Sequence, residues 1–352
     1  MKILGVEQNK SGSNYYRLEM PFQHLTQTTD IEYARCNTIN GMPNEVLQQF
    51  NAVIFSREFE HHNDVKNIKL IADQLRTLGV KIIIDIDDYW NLSAFHVLKE
   101  QYRIFKAPEK IIESIKYADL VTTTNVQLAE KISKLNHNVE VLPNAIYPEI
   151  YPQFQPNYVP GDKYRIGYMG GVCHWEDVVL MQDGFKQLHA DRELQGRFTV
   201  KLFGYNDESP EYGRFEQVFT DRGRGKDYER VYTTDVYNYA LGYNHLEACI
   251  VPLNDNTFNN CKSELKMIEA GFMGKACIVS DIKPYTDVIK NGVNCIAIDK
   301  NRNHKDWYRA MRTLINEPDY GKYIADNLSK EVKEKYHISK VNEKRYKLLK
   351  SL

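Results

Sequence analysis

Five prolines, Pro143, Pro148, Pro152, Pro156 and Pro160, lie between positions 143 and 160 of a 352-residue chain. Each proline fixes φ and removes a backbone donor, so neither a helix nor a central strand can run through this stretch. It reads as a stiff, extended connector between two folding units. On both sides of it, short apolar runs alternate with amphipathic stretches. Before it, Lys2–Val6, Ala52–Ser56, 80–85, 120–124 and 139–142 read as strands, with helical periodicity at 15–27, 65–78, 111–117 and 126–135 and a polar loop at 8–13. Gly79 stands just past the second of these helices, where a left-handed cap is expected. After the connector, 165–168, 199–203, 248–253, 276–280 and 295–298 read as strands, with helices at 178–189, at 262–273, from 285 and from 304 onward. Strands apolar on both faces and followed by helices build parallel, helix-covered sheets. The expected fold is α/β: two doubly wound, Rossmann-like units facing a central cleft. The expected boundaries are 1–148 for the first unit, 149–162 for the linker and 163–332 for the second unit. The tail at about 333–352 reads as a terminal helix.

Two such units can each bury a core at this length. Hydrophobic residues make up 42% and charged residues 26%, and the formal net charge of −1 offers no general attraction to a polyanion. The N-terminal MKILGVEQ is too short in apolar length for a secretory signal, so the expected location is the cytoplasm. The six cysteines form no C-x-x-C pair and are expected to be reduced packing residues. The tail at 330–352 carries seven lysines and Arg345 interleaved with apolar residues. Such a helix suits peripheral contact with an anionic membrane, or it packs its apolar face back onto the first unit.

The segment 247–275, EACIVPLNDNTFNNCKSELKMIEAGFMGK, places a buried strand, a polar loop and a helix start in succession. Unpaired N–H groups and the positive dipole end at a helix start suit phosphate, and Lys262 and Ser263 stand there. Glu269, two turns on, is placed to accept hydrogen bonds from ribose hydroxyls. The same pattern also suits an ordinary amphipathic helix with Lys262, Glu264 and Lys266 as solvated charges.

Pro252, Leu253, Phe258, Asn259, Lys262, Ser263, Lys266, Glu269, Ala270 and Gly271 together resemble a stretch of the retaining GT-B glycosyltransferases of family 4. The resemblance covers nearly the whole chain, is weakest in the acceptor-facing parts of the first half, and implies that the terminal helix at about 333–352 returns to complete the first unit. It implies that Gly170 and Gly171, with His174 and Asp177 after them, form the loop of the nucleotide-binding unit. It also implies that Ser11 to Arg17 form the glycine loop of the first unit, with Gly12 as cradle and Arg17 reaching phosphate; the plain alternative for Arg17 is a structural salt bridge. Two departures stand out. The family's Arg and Lys after the glycines are replaced by Gly171 and Asp177, which leaves Lys262 as the phosphate clamp. Its first paired glutamate is replaced by Cys261, which implies a sugar contact rebuilt around Asn259, Asn260 and Cys261.

Asp85, Asp87 and Asp88 in IDIDDYW invite a Mg²⁺ or Mn²⁺ site, but resemble a D-x-D-D element that shapes the acceptor side of metal-independent enzymes. No metal and no tightly bound cofactor are expected. Lys262, Glu269 and His96 are the expected chemistry-bearing residues, His96 on the acceptor side. Gly12, Arg17, Gly170, Gly171, His174, Asn260, Lys262, Ser263, Glu264 and Glu269 are the expected contacts to a UDP- or GDP-linked sugar. The expected activity is transfer of that sugar to an acceptor hydroxyl with retention. The rival readings are a GT-B epimerase, a DNA-base glycosyltransferase using the basic stretch Arg214, Arg222, Arg224, Lys226 and Arg230, and a two-domain sugar-binding protein.

Overall fold

A computed structural model describes residues 1–7, 11–59, 64–300 and 303–352. The start of the polar loop expected at 8–13 therefore lies outside the described residues. The described residues form two six-stranded sheets. The first contains β1 (Lys2–Val6), β2 (Glu32–Cys36), β3 (Ala52–Ser56), β4 (Lys81–Ile86), β5 (Leu120–Thr123) and β6 (Val139–Val141), in the order β2-β1-β3-β4-β5-β6. The second contains β7 (Tyr164–Met169), β8 (Phe198–Tyr205), β9 (Tyr228–Tyr232), β10 (Ala248–Val251), β11 (Ala276–Ser280) and β12 (Ile296–Ile298), in the order β12-β11-β10-β7-β8-β9. Every neighbouring pair is parallel.

The central strands are buried on both faces, as helix-covered parallel strands must be. Two strands escape the apolar pattern. Glu32–Cys36 and Tyr228–Tyr232 are edge strands with mostly exposed residues, so burial does not impose alternation on them. The second overturns part of the basic-loop reading, because Arg230 lies in β9 and pairs with Glu216 at 2.6 Å.

Helix α1 runs through Gly12–Asn14, a π turn at Tyr15–Glu19 and Met20–Thr28. Then follow α2 (Val65–Thr77), α3 (Lys99–Ile104), α4 (Ala107–Tyr117) and α5 (Val126–Ile132). The second unit carries α6 (Gln182–Ala190), α7 (Glu211–Phe219), α8 (Leu265–Phe272), α9 (Asn303–Asn316) and α10 (Pro318–Lys335). The helix expected from 285 is only a 3₁₀ turn, Tyr285–Asp287.

The chain crosses between the units twice. Besides the connector, it returns at 336–338, where Ile146 accepts from the Ile338 amide and donates to Tyr336 at 2.9 and 3.0 Å. The last helix, α11 (Ile338–Lys350), then packs on the first unit. Leu349 joins Leu18, Phe22 and Leu25 in one apolar cluster, and Asn342 donates to the Pro21 carbonyl. Its lysines face outward and pair with Glu140 and Asp30, so the apolar face is spent on packing. Among the described residues no helix is long and apolar enough to cross a membrane.

Candidate functional site

Strand order reverses between β1 and β3 in the first sheet and between β7 and β10 in the second, and ligands of such sheets bind beyond the strand ends at those reversals. The loops after β1 and β4 of the first sheet face those after β7 and β10 of the second. Between them lies a cavity of about 420 Å³, lined from one side by Gly12, Ser13, Tyr16, Arg17, Asp87 and Asp88, and from the other by His174, Lys262, Ser263, Lys266 and Glu269. Of the residues expected to contact a nucleotide sugar, six meet here: Gly12, Arg17, His174, Lys262, Ser263 and Glu269.

Helix α8 starts at Leu265, three residues later than the periodicity suggested. The reason is Asn256, whose side chain accepts from the Asn259 amide and starts a separate helical turn, Thr257–Asn260, in what read as a loop. Lys262 and Ser263 thus form the approach to α8, and no side-chain cap occupies its start. The Lys262 ammonium lies 4.6 Å from the centroid of the Phe258 ring, and Asp88 stands 4.0 Å away. Asn144 donates to the Ser263 hydroxyl at 2.9 Å, and Asn125 donates to the Cys261 and Lys262 carbonyls. Loops of the first unit therefore hold the phosphate-suited approach of the second.

Glu269 is 2% exposed and accepts from Tyr16 across the cleft at 2.5 Å and from Tyr243 at 3.0 Å. Burial raises its pKa against these hydrogen bonds and Lys266. One hydroxyl on each carboxylate oxygen leaves acceptor capacity on both, since an ionised carboxylate offers about four lone-pair sites.

Arg17 departs from its expected role. It is 2% exposed, forks onto both oxygens of Asp85 at 2.8 and 2.9 Å, and donates to the Leu142 carbonyl at 2.6 Å and to Asn144. Its guanidinium contributes a wall of the cavity but is occupied by β4 and the start of the connector, so the salt-bridge alternative describes it. Asp85 is correspondingly committed to Arg17 and Thr122 rather than available to a cation. Burial raises the pKa of Asp87, whereas at Asp88 Lys262 and Arg57 outweigh burial and lower it.

His174 lies in the turn after β7 and bonds through Nδ1 to Asp177 at 2.8 Å. Asp177 also accepts from the Asn254 amide and the Asn259 side chain at 2.8 and 2.7 Å, which locks the two loops of this unit together. Burial disfavours the imidazolium, yet Cys173 and Asp177 outweigh it and raise the His174 pKa. Burial alone would also raise the Cys173 thiol; His174, with His96 and Lys262, overrides it and brings the thiol down to about 5.

Five expected residues stand apart from the cavity lining. Gly170 is demanded by packing, because a Cβ there would meet the Tyr168 hydroxyl at 2.4 Å, while Gly171 faces open space. Asn260 donates to Asp255, away from the cavity. Glu264 is 8% exposed, and burial raises its pKa against a hydrogen bond from Tyr336 of the returning segment. His96 packs edge-on against Phe258 at 5.4 Å and accepts from the Leu98 amide, on the rim rather than in the cavity. Residues not singled out are Tyr16, Tyr239 and Tyr243, all packed around Glu269. The only local signal was the i, i+4 spacing of Tyr239 and Tyr243 just before β10.

No family model and no curated protein sequence matches the chain. Solved structures do. Anabaena Alr3699/HepE in complex with UDP and glucose matches at a TM-score of 0.68 with 13% identity over 100% of both chains. Sucrose-phosphate synthase from Thermosynechococcus elongatus matches at 0.69 with 10% identity, covering 99% of this chain and 98% of its own. The lipopolysaccharide outer core galactosyltransferase WaaB matches at 0.62 with 13% identity over 100% and 99%. At such identities the likeness establishes the fold, the GT-B arrangement of two facing doubly wound units.

Proposed function

We propose that this chain is a glycosyltransferase that moves a sugar from a UDP- or GDP-linked donor to an acceptor hydroxyl with retention at the anomeric carbon. The observation that carries the reading is the convergence of Lys262, Ser263, the uncapped start of α8 and the buried Glu269 on one cavity between the two sheets. The first three match a diphosphate and the last a ribose. Structural neighbours whose names specify UDP, glucose or galactosyl transfer support the class.

In this reading the bond between the anomeric carbon and the β-phosphate oxygen breaks and a bond to the acceptor oxygen forms. The acceptor's proton passes to the departing phosphate oxygen on the same face, and the nucleoside diphosphate leaves. The protein's work is electrostatic and positional: Lys262 and the helix start meet the charge that develops on the leaving group, and the cleft walls exclude water. The diphosphate charge is met by these groups without a metal. Asp177 acts through His174, holding its ring at the cavity wall.

A thermal-shift panel of UDP- and GDP-sugars, each with and without chelator, tests the proposal. It predicts stabilisation by one donor that survives chelation. No shift with any donor would overturn it, and a shift abolished by chelator would overturn the metal-free part.

A further inference from the structure

Helix α1 is interrupted by the π turn Tyr15–Glu19, in which the Met20 amide reaches back to the Tyr15 carbonyl. Such a turn inserts a residue into the helix and swings its side chains round, and π turns collect at functional sites. Four consecutive residues, Tyr15 to Leu18, are buried here, which a regular helix with one apolar stripe does not achieve. Leu18 joins the core of the first unit and Arg17 goes to Asp85, while Tyr16 reaches across the cleft to Glu269.

The Tyr16 ring is held from its own side of the cleft. It packs edge-on against Tyr15 at 5.1 Å, and Phe154 of the connector lies 6.2 Å away. Its hydroxyl donates to Glu269 Oε1 at 2.5 Å, and Tyr243 donates to Oε2 at 3.0 Å. Tyr243 is held within the second unit, with the Tyr239 ring edge-on to it at 6.4 Å. The terminal torsion of a glutamate is soft, so one donor leaves the carboxylate free to rotate and a donor on each oxygen fixes its plane.

The two donors are not equivalent. Tyr16 lines the cavity together with Glu269, whereas Tyr243 stands outside the lining. A ribose that reaches Glu269 therefore meets a carboxylate whose plane is set in part from the opposite unit. The Tyr16 hydroxyl also favours the ionised carboxylate, against the burial that raises the Glu269 pKa. Hydroxyls bind an ionised acceptor more strongly than a neutral one. The other donor-side groups of the second unit are met in the same way, Lys262 by Asp88 at 4.0 Å and Ser263 by Asn144 at 2.9 Å.

We propose that Tyr16 is a positioning residue for donor binding: from the first unit it orients the Glu269 carboxylate toward the ribose hydroxyls, so that the ribose half of the site is shared between the two units. This role rests on the nucleotide-sugar reading of the cavity.

A double-mutant cycle on the full chain tests it. Wild type, Tyr16→Phe, Glu269→Gln and the double variant are titrated by calorimetry with whichever of UDP and GDP the wild type binds, and with its 2′-deoxy form. Phe keeps the ring packing on Tyr15 and Phe154, and thermal melts alongside report that each variant folds. Tyr16→Phe should weaken the nucleotide about fivefold, the 2′-deoxy form less, so that discrimination between the two shrinks. In the Glu269→Gln background the same change should matter by less than about twofold, because the group that Tyr16 orients is gone. A packing role would weaken both nucleotides alike and in both backgrounds. That result, or unchanged or tighter binding by Tyr16→Phe, would overturn the role while leaving the donor reading in place. No binding of either nucleotide by the wild type would overturn the donor reading and this role with it.

Discussion

Replacing Glu269 by Gln separates a ligand-binding carboxylate from a merely structural one. Glu269 is buried and takes one hydrogen bond from each of Tyr16 and Tyr243. An Ala substitution would leave two buried hydroxyls unsatisfied at about 1–3 kcal/mol each, and so would confound binding with folding. Gln keeps the shape, one acceptor oxygen and a polar group at the other position. Burial holds the carboxyl above its usual range, so neutralising it removes a desolvation penalty that partly offsets the weaker hydrogen bonds. Stability should therefore change by no more than about 1 kcal/mol. Ligand binding should change more. Hydrogen bonds to a charged acceptor contribute about 1 kcal/mol more each than to a neutral one. Two ribose hydroxyls then lose about 2 kcal/mol, roughly a thirtyfold weaker dissociation constant for UDP. Calorimetric titration of UDP and 2′-deoxy-UDP, alongside thermal melts, reads both quantities. Wild type should discriminate between the nucleotides and Glu269→Gln should largely lose that discrimination. Equal UDP affinity in both proteins, with equal melts, would refute the ribose assignment and leave Glu269 as a tyrosine anchor.

Other consequences follow from the same geometry. Arg17→Ala strands the buried Asp85 charge and should cost about 3–5 kcal/mol by denaturant titration; a loss below about 1 kcal/mol would reinstate Arg17 as a phosphate ligand instead of a strut. Cys173, with its thiol held at about 5, is ionised at pH 6.5, so iodoacetamide should label it ahead of Cys36 there by mass spectrometry; equal labelling would contradict the His174, His96 and Lys262 surroundings. Lys275 is buried above the Tyr158 ring, and burial lowers its pKa from 10.5 to about 8. The native state then loses this proton before the unfolded chain does, so Lys275 destabilises the fold below pH 8 and that penalty fades between about pH 8 and 10.5. Lys275→Met should raise the melting temperature at pH 7 and flatten its rise over that window, and an unchanged pH profile would refute the assignment.

What could be read from the sequence was whatever burial or local capping imposes. Ile82 to Ile84 and Cys249 to Val251 are apolar because helices cover both faces of a parallel sheet, and their runs declared strands directly. Glu32–Cys36 and Tyr228–Tyr232 did not, because an edge strand can leave its side chains in water. The approach to α8 was visible in Lys262 and Ser263, but the Asn256 cap that delays the helix looked like loop polarity. Arg17 shows the deeper limit. Gly12, in the same Ser11 to Arg17 stretch, suggested a ligand loop, while the actual partner of Arg17, Asp85, stands 68 positions away on β4. The Tyr16 to Glu269 bond spans 253 positions, and no local pattern encodes such a contact.

The central claim is that the cleft holds a nucleoside diphosphate at the start of α8. Calorimetric titration of UDP and GDP into the wild-type protein and Lys262→Ala, in the presence of chelator, tests it most directly. The account predicts one-to-one binding of one nucleotide by wild type, weakened about tenfold or more when the Lys262 ammonium is removed. Absence of binding by either nucleotide at millimolar concentration, or equal affinity in the two proteins, would contradict it.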